Sequence, residues 1–195
     1  MTNGGGAFRF TVSAPPLGNW KAVSKMSCAD FGLYGVLALS ERAYTVLKRA
    51  FKHRTVDKRY HALVQGHPDP SSGTIDAPIG RDHRDALRMA VVVDGKPART
   101  RYRVLEQFRA PAEAASLECR LESGRTHQIR VHLSAIGHPV VGDAIYGGVR
   151  SGIDAPRPFL HAARLELEHP VTREALAFDA RLPDDLAAIL AELET

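Results

Sequence analysis

From Ser40 onward the chain carries a helical repeat. Ala43, Leu47, Ala50 and Phe51 recur on one side, Arg42, Lys48, Arg49 and Lys52 fill the rest, and Ser40 is a residue type that caps such a helix. An amphipathic helix with a basic outer face is predicted. Residues 58–65 then alternate as a strand does, with Tyr60, Ala62 and Val64 on one side and Arg59, His61 and Leu63 on the other. Residues 67–73 form a Pro/Ser/Gly turn. Further strands are predicted at 88–93 and 99–108, joined as a tight hairpin through Asp94-Gly95, and at 116–122. Over 126–136 the period returns to helix, with Ile129, Leu133 and Ile136 in step, Thr126 as cap and Gly137 as stop. Residues 159–168 and 174–180 read as a strand pair, and 183–190 as a closing helix. Ahead of Ser40 only residues 8–12 suggest a strand, and a loosely ordered front is expected. No internal repeat is present. The order predicts an α+β fold, a mixed, mainly antiparallel sheet with packed helices.

Composition narrows this little. The 195 residues, 44% hydrophobic and 25% charged, suit one ordinary globular core. No apolar run approaches the roughly 18 residues of a membrane span, and the glycine-rich start is not a secretion signal. Cys28 and Cys119 stand far apart, which excludes a disulfide framework and a cysteine zinc site, so a cytoplasmic protein is expected. Charge says more. Residues 1–66 hold ten Lys or Arg against three acids, whereas 165–195 hold two against eight, a polarity that draws a polyanion to one side.

The densest polar cluster is Ser123-Gly124-Arg125-Thr126-His127-Gln128-Ile129-Arg130, at a strand-to-helix turn. Helical spacing there sets His127, Arg130 and Ser134 on one face, beside a helix start able to hold an anion. A solvated helix start with an arginine paired to a surface acid is the plainer alternative. A metal site is not expected, because His127 and His132 are five apart and no H-E-x-x-H occurs; a serine hydrolase would want G-x-S-x-G, which is absent.

These segments carry a resemblance. SGRTHQIRVHLSAIGHPVVGD from Ser123 to Asp143, KRYHALV from Lys58 to Val64 and FLHAARLEL from Phe159 to Leu167 are similar to the RluA-type pseudouridine synthases, which isomerise uridines in structured RNA. The likeness runs from about Leu33 to Leu190. It implies a pseudouridine synthase-like catalytic domain over 33–195, incomplete at the front, behind a divergent segment 1–32 that has no match in the family. Tyr60 is implied to lie against the target base and Arg130 to pair with the nucleophilic aspartate. Arg42, Lys48, Arg49, Lys52, Arg54, Arg125, His127 and Gln128 are the expected RNA contacts. The expected partner is RNA, ribosomal RNA in particular, bound by a monomer with no cofactor, metal or membrane. The family's H-R-L-D-x-x-T-S-G segment has no counterpart, and its aspartate position falls on Ser27 or Cys28. Asp30 is the only aspartate before Asp57, two residues from Gly32. An RNA-binding remnant without turnover is therefore the alternative expectation, since orienting a base does not break its glycosidic bond.

Overall fold

A computed structural model describes residues 9–12, 35–38, 40–85, 87–150 and 152–195; Ser27, Cys28 and Asp30 lie outside them. Strand β1 (Arg9–Val12) runs parallel to β2 (Gly35–Ala38). Helix α1 (Glu41–Lys52) starts where the sequence expects, with the Ser40 hydroxyl accepting from the Ala43 N–H at 3.2 Å. Glu41 in its first turn and Arg49 and Lys52 in its last complement the helix dipole.

The body is a six-stranded antiparallel sheet built from β3 (Asp57–Gln65), β4 (Ser72–Asp76), β7 (Arg99–Phe108), β8 (Ala114–Leu121), β9 (Leu160–Glu168) and β10 (Ala175–Asp179). Its order is β10-β9-β3-β8-β7-β4, so β3 is central. Strands β5 (Ile79–Arg81) and β6 (Met89–Val91) form a separate pair. Helices α2 (Gln128–Ala135) and α3 (Asp184–Ala191) complete the fold. No described helix is long and apolar enough to cross a membrane.

The α+β, mainly antiparallel prediction matches this architecture, and β9 and β10 pair as expected. Two local expectations are corrected. The 88–93 strand does not pair with 99–108 across Asp94-Gly95. Instead β6 pairs with β5, and the turn carries Lys96 back to bond both the N–H and the carbonyl of Ile79. Gly95 lies so close to that strand that a Cβ would meet the Ile79 backbone at 2.6 Å, which explains the glycine without a hairpin. Thr126 does not cap α2; His127 does, with φ of 55° and no side-chain capping bond.

The alternation in β3 breaks at its centre, because Ala62, Leu63 and Val64 are all fully buried. Leu63 shares its core with Phe159 and with Leu186 and Ile189 of α3, so the middle of this strand is covered on both faces. A second apolar cluster lies under α1, where Leu47 meets Val56, Leu165 and Leu167.

Three histidines are built in as neutral groups. Gln128 Nε2–H donates to Thr100 Oγ1, the Thr100 hydroxyl to His132 Nδ1, and His132 Nε2–H to the Ala77 carbonyl, at 2.9, 2.9 and 3.0 Å. His61 and His161 are direct cross-strand partners, bonded to Ser116 and to the Ala180 carbonyl. Burial is the main force lowering all three pKa values from 6.5, with the neighbouring His161 adding to the shift at His61. Each folded pKa lies below the unfolded one, so the unfolded chain takes up protons first. Stability is therefore expected to hold above about pH 6.5 and to fall as the pH drops through the folded pKa values. Urea midpoints at pH 7.5, 6.5 and 5.5 check this; an unchanged midpoint would contradict it.

Candidate active site

Register along the sheet decides which side chains meet. Tyr60 is opposite Cys119, and Cys119 is opposite Tyr102, so Tyr60, Tyr102 and Thr100 share one face. Gln128 and His132 both bond Thr100, which puts α2 on that face. Lys58, two residues before Tyr60, is opposite Leu165, and Leu165 shares its apolar cluster with Leu47 of α1. Both helices thus lie on the face that carries Lys58 and Tyr60, with α1 over β9 and β10 and α2 over β7. Central β3 runs between them, and Tyr60 is 9% exposed.

The opposite side of α2 behaves as its spacing predicts. His127, Arg130 and Ser134 all reach one residue, Tyr146. Its hydroxyl lies 2.9 Å from His127 Nδ1, its ring lies under the Arg130 guanidinium at 4.8 Å, and its carbonyl accepts from Ser134 at 2.9 Å. The Met89 N–H donates to the Tyr146 hydroxyl, which is also hydrogen-bonded with His127 Nδ1. Burial, and after it the nearby Arg130 charge, lowers the His127 pKa, with Asp143 opposing. His127 is accordingly a neutral ring.

Arg130 forms a two-pronged pair with Asp143, Nε to Oδ2 at 2.6 Å and a terminal nitrogen to Oδ1 at 2.8 Å. The side chains are 3% and 0% exposed. Asp143 Oδ1 also accepts from the N–H groups of Ile145 and Tyr146 at 3.1 and 3.2 Å. A carboxylate so enclosed and so fully engaged is an anchor for Arg130 and for the 143–146 loop, not an attacking group. The carboxylate seen beside Arg130 is therefore Asp143, within the GHPVVGD segment that carries the resemblance. Neither Asp143 nor Tyr146 was singled out from the sequence, although the Asp-x-x-Tyr spacing two residues after Val141 was there to be read.

The expected RNA contacts divide by exposure. Arg42, Lys48, Arg49, Lys52 and Arg54 are all exposed on or just after α1, and none is in an ion pair among the described residues. Arg125 is half-buried, its Nε donating to the Pro97 carbonyl at 3.2 Å. Gln128 is 2% exposed; its oxygen accepts from Ser123 Oγ and the Arg125 N–H, and its nitrogen donates to the Arg99 carbonyl and Thr100. That full set leaves no amide group for a base or phosphate, so Gln128 clamps the turn. On the other sheet face Arg59 meets Asp57, Glu118 and Glu166, and a cavity of about 490 Å³ lined by Asp57, Arg120, Arg164 and Glu166 opens there, facing away from Tyr60.

Tyr60 therefore lies on the sheet face covered by α1, with its exposed cations, and by α2, which carries the Arg130–Asp143 pair. Residues 35–135 match the family model described as RNA pseudouridylate synthase, and the chain belongs to that family. It is 53% identical over 164 residues to an uncharacterised RNA pseudouridine synthase of Mycobacterium bovis, covering 80% of this chain and 52% of that protein. It is 50% identical over 162 residues to the ribosomal large subunit pseudouridine synthase D of Nitrosomonas europaea, covering 80% of this chain and 46% of that protein. Among solved structures it resembles human RNA pseudouridylate synthase domain containing 1, with a TM-score of 0.71 and 34% identity over 90% of this chain and 74% of that one. The chain spans about half the length of the curated relatives it matches.

Proposed function

We propose that this chain isomerises uridine to pseudouridine in structured RNA, with ribosomal RNA the favoured substrate from the names of its relatives. What supports the reading is the sheet face of Tyr60, over which both helices lie, α1 with its exposed cations and α2 with Arg130 in its buried pair with Asp143. Tyr60 offers its ring to the uracil. Arg42, Lys48, Arg49, Lys52, Arg54, Arg125 and His127 take the surrounding RNA, while Gln128 is kept for the turn. Residues 33–195 form the catalytic unit behind a distinct segment 1–32, working as a cytoplasmic monomer without metal or cofactor.

The reaction needs a carboxylate to attack C1′ of the ribose or C6 of the base. The N1–C1′ bond breaks, the base turns, C5 bonds to C1′ as the bond to the carboxylate is broken and the carboxylate is released, and the C5 proton leaves while N1 takes up a proton. Asp30 is the residue proposed for the attack, on the ground of sequence alone, as the only acid ahead of Glu41. Arg130, fixed by Asp143, is the cation proposed to keep that carboxylate ionised. Tritium release from RNA containing 5-tritiated uridine tests this. Wild type is expected to release label, and Asp30→Asn to lose at least about a thousandfold in rate, as removal of a nucleophile does. RNA binding without release by the wild type would instead establish the RNA-binding remnant.

A further inference from the structure

Lys58 is the one cation on the Tyr60 face of β3, and its surroundings are unusual. The side chain is half-buried, yet among the described residues its ammonium has no hydrogen bond and no ion pair. Asp57, the one carboxylate acting on it among the described residues, belongs to the opposite sheet face and is held there by Arg59 and Arg120. The remaining neighbours make the position less favourable for a cation. Arg54 repels it, and burial combines with that repulsion to lower its pKa. One contact compensates, the Phe51 ring of α1 with its centre 5.9 Å from Nζ. On the other side is Gly124, exposed at the start of the turn into α2, where a Cβ would come within 3.8 Å of the ammonium. Lys58 thus spans the gap between α1 and the α2 turn without an ion pair or hydrogen bond of its own among the described residues.

A partly desolvated ammonium without an anion is costly, and a bound anion would relieve that cost. The spacing identifies which anion. Alternate residues on one face of a strand are about 6.7 Å apart, so a group held by Lys58 lies one such step along β3 from a base held at Tyr60. We propose that Lys58, with Arg54 beside it and the side-chain-free Gly124 leaving room, binds the backbone phosphate adjoining the uridine that meets Tyr60. This rests on the RNA reading above and extends it to one phosphate and one residue. Lys58 is a binding and positioning group, whereas the cations on the outer face of α1 track RNA further away.

Fluorescence anisotropy of the full chain with a labelled RNA stem-loop carrying uridines in its loop, at 50, 100 and 200 mM salt, tests the assignment. Lys58→Met is expected to weaken binding about five- to tenfold at low salt and to reduce the slope of log K against log salt by about one unit, the signature of one lost phosphate contact. Lys58→Arg should restore both. The melting temperature of Lys58→Met should stay at or above that of the wild type, because a desolvated, unpaired charge has been removed; a purely structural lysine would lower it. Unchanged affinity and slope in Lys58→Met would overturn the proposal while leaving the RNA reading intact. A lower melting temperature with an unchanged slope would overturn it in favour of a packing role. No binding by the wild type would overturn the RNA reading, and the Lys58 site with it.

Discussion

Asp143→Asn is expected to lower the unfolding free energy by about 3–5 kcal/mol, the cost of breaking a buried ion pair from one side. The carboxylate accepts from two guanidinium nitrogens and two backbone N–H groups while wholly out of solvent. An amide has one oxygen and one NH2 group, so one side of the replacement presents a donor to a donor, and the guanidinium keeps its charge with half its counterpart gone. In a chain of this length each kcal/mol corresponds to roughly 2–4 °C, so the melting temperature should fall by about 6–20 °C. The double variant Asp143→Asn, Arg130→Met should recover part of the loss, since it removes the stranded charge. Thermal and urea unfolding followed by circular dichroism measure both. A loss below about 1 kcal/mol would show that solvent reaches the pair and that it contributes little more than a surface bridge.

The loop that carries Asp143 and Tyr146 should be as sensitive at Gly148. A Cβ there would lie 1.7 Å from the Val140 carbonyl oxygen and 2.6 Å from the Asp143 nitrogen, distances no side-chain rotation relieves. The same backbone closes the loop, with the Gly148 N–H donating to the Asp143 carbonyl at 2.7 Å and the Gly142 N–H to the Gly148 carbonyl at 3.0 Å. Gly148→Ala must therefore displace the segment that fixes Arg130, and a loss of about 3 kcal/mol or more in stability is expected. Gly137→Ala provides the contrast. That glycine follows α2 with φ of 85°, and nothing lies within 4 Å of a Cβ, so the cost is conformational alone, about 1–2 kcal/mol. Equal losses at the two positions would mean that crowding at Gly148 is absorbed by the loop.

The parts of this protein legible in the sequence are those whose cause is local. Ser40, the Ala43–Leu47 spacing and the cations between them form α1 through a cap and a periodicity contained in a dozen residues. Tyr60, Ala62 and Val64 declare a strand face in the same way, and 159–168 with 174–180 form a hairpin because their partners are neighbours along the chain. The family was legible too, because three uninterrupted segments carry it.

Tertiary structure decided what depends on residues far apart in sequence. Asp94-Gly95 has the chemistry of a hairpin turn, but the strand that claims Lys96 is β5, and only the folded sheet shows that β5 is there to claim it. Gln128 reads as a polar group at a helix start, and became a buried clamp because β7 delivers the Arg99 carbonyl and Thr100 to its amide. Arg130 reads as a cation awaiting a carboxylate, and the one seen beside it comes from thirteen residues downstream, through a loop whose closure at Gly148 no periodicity encodes. The physical reason is the same in each case. A cap or a repeat is satisfied within a few residues of itself, whereas burial of a charge or an amide is tolerable only once distant strands and loops have supplied its partners.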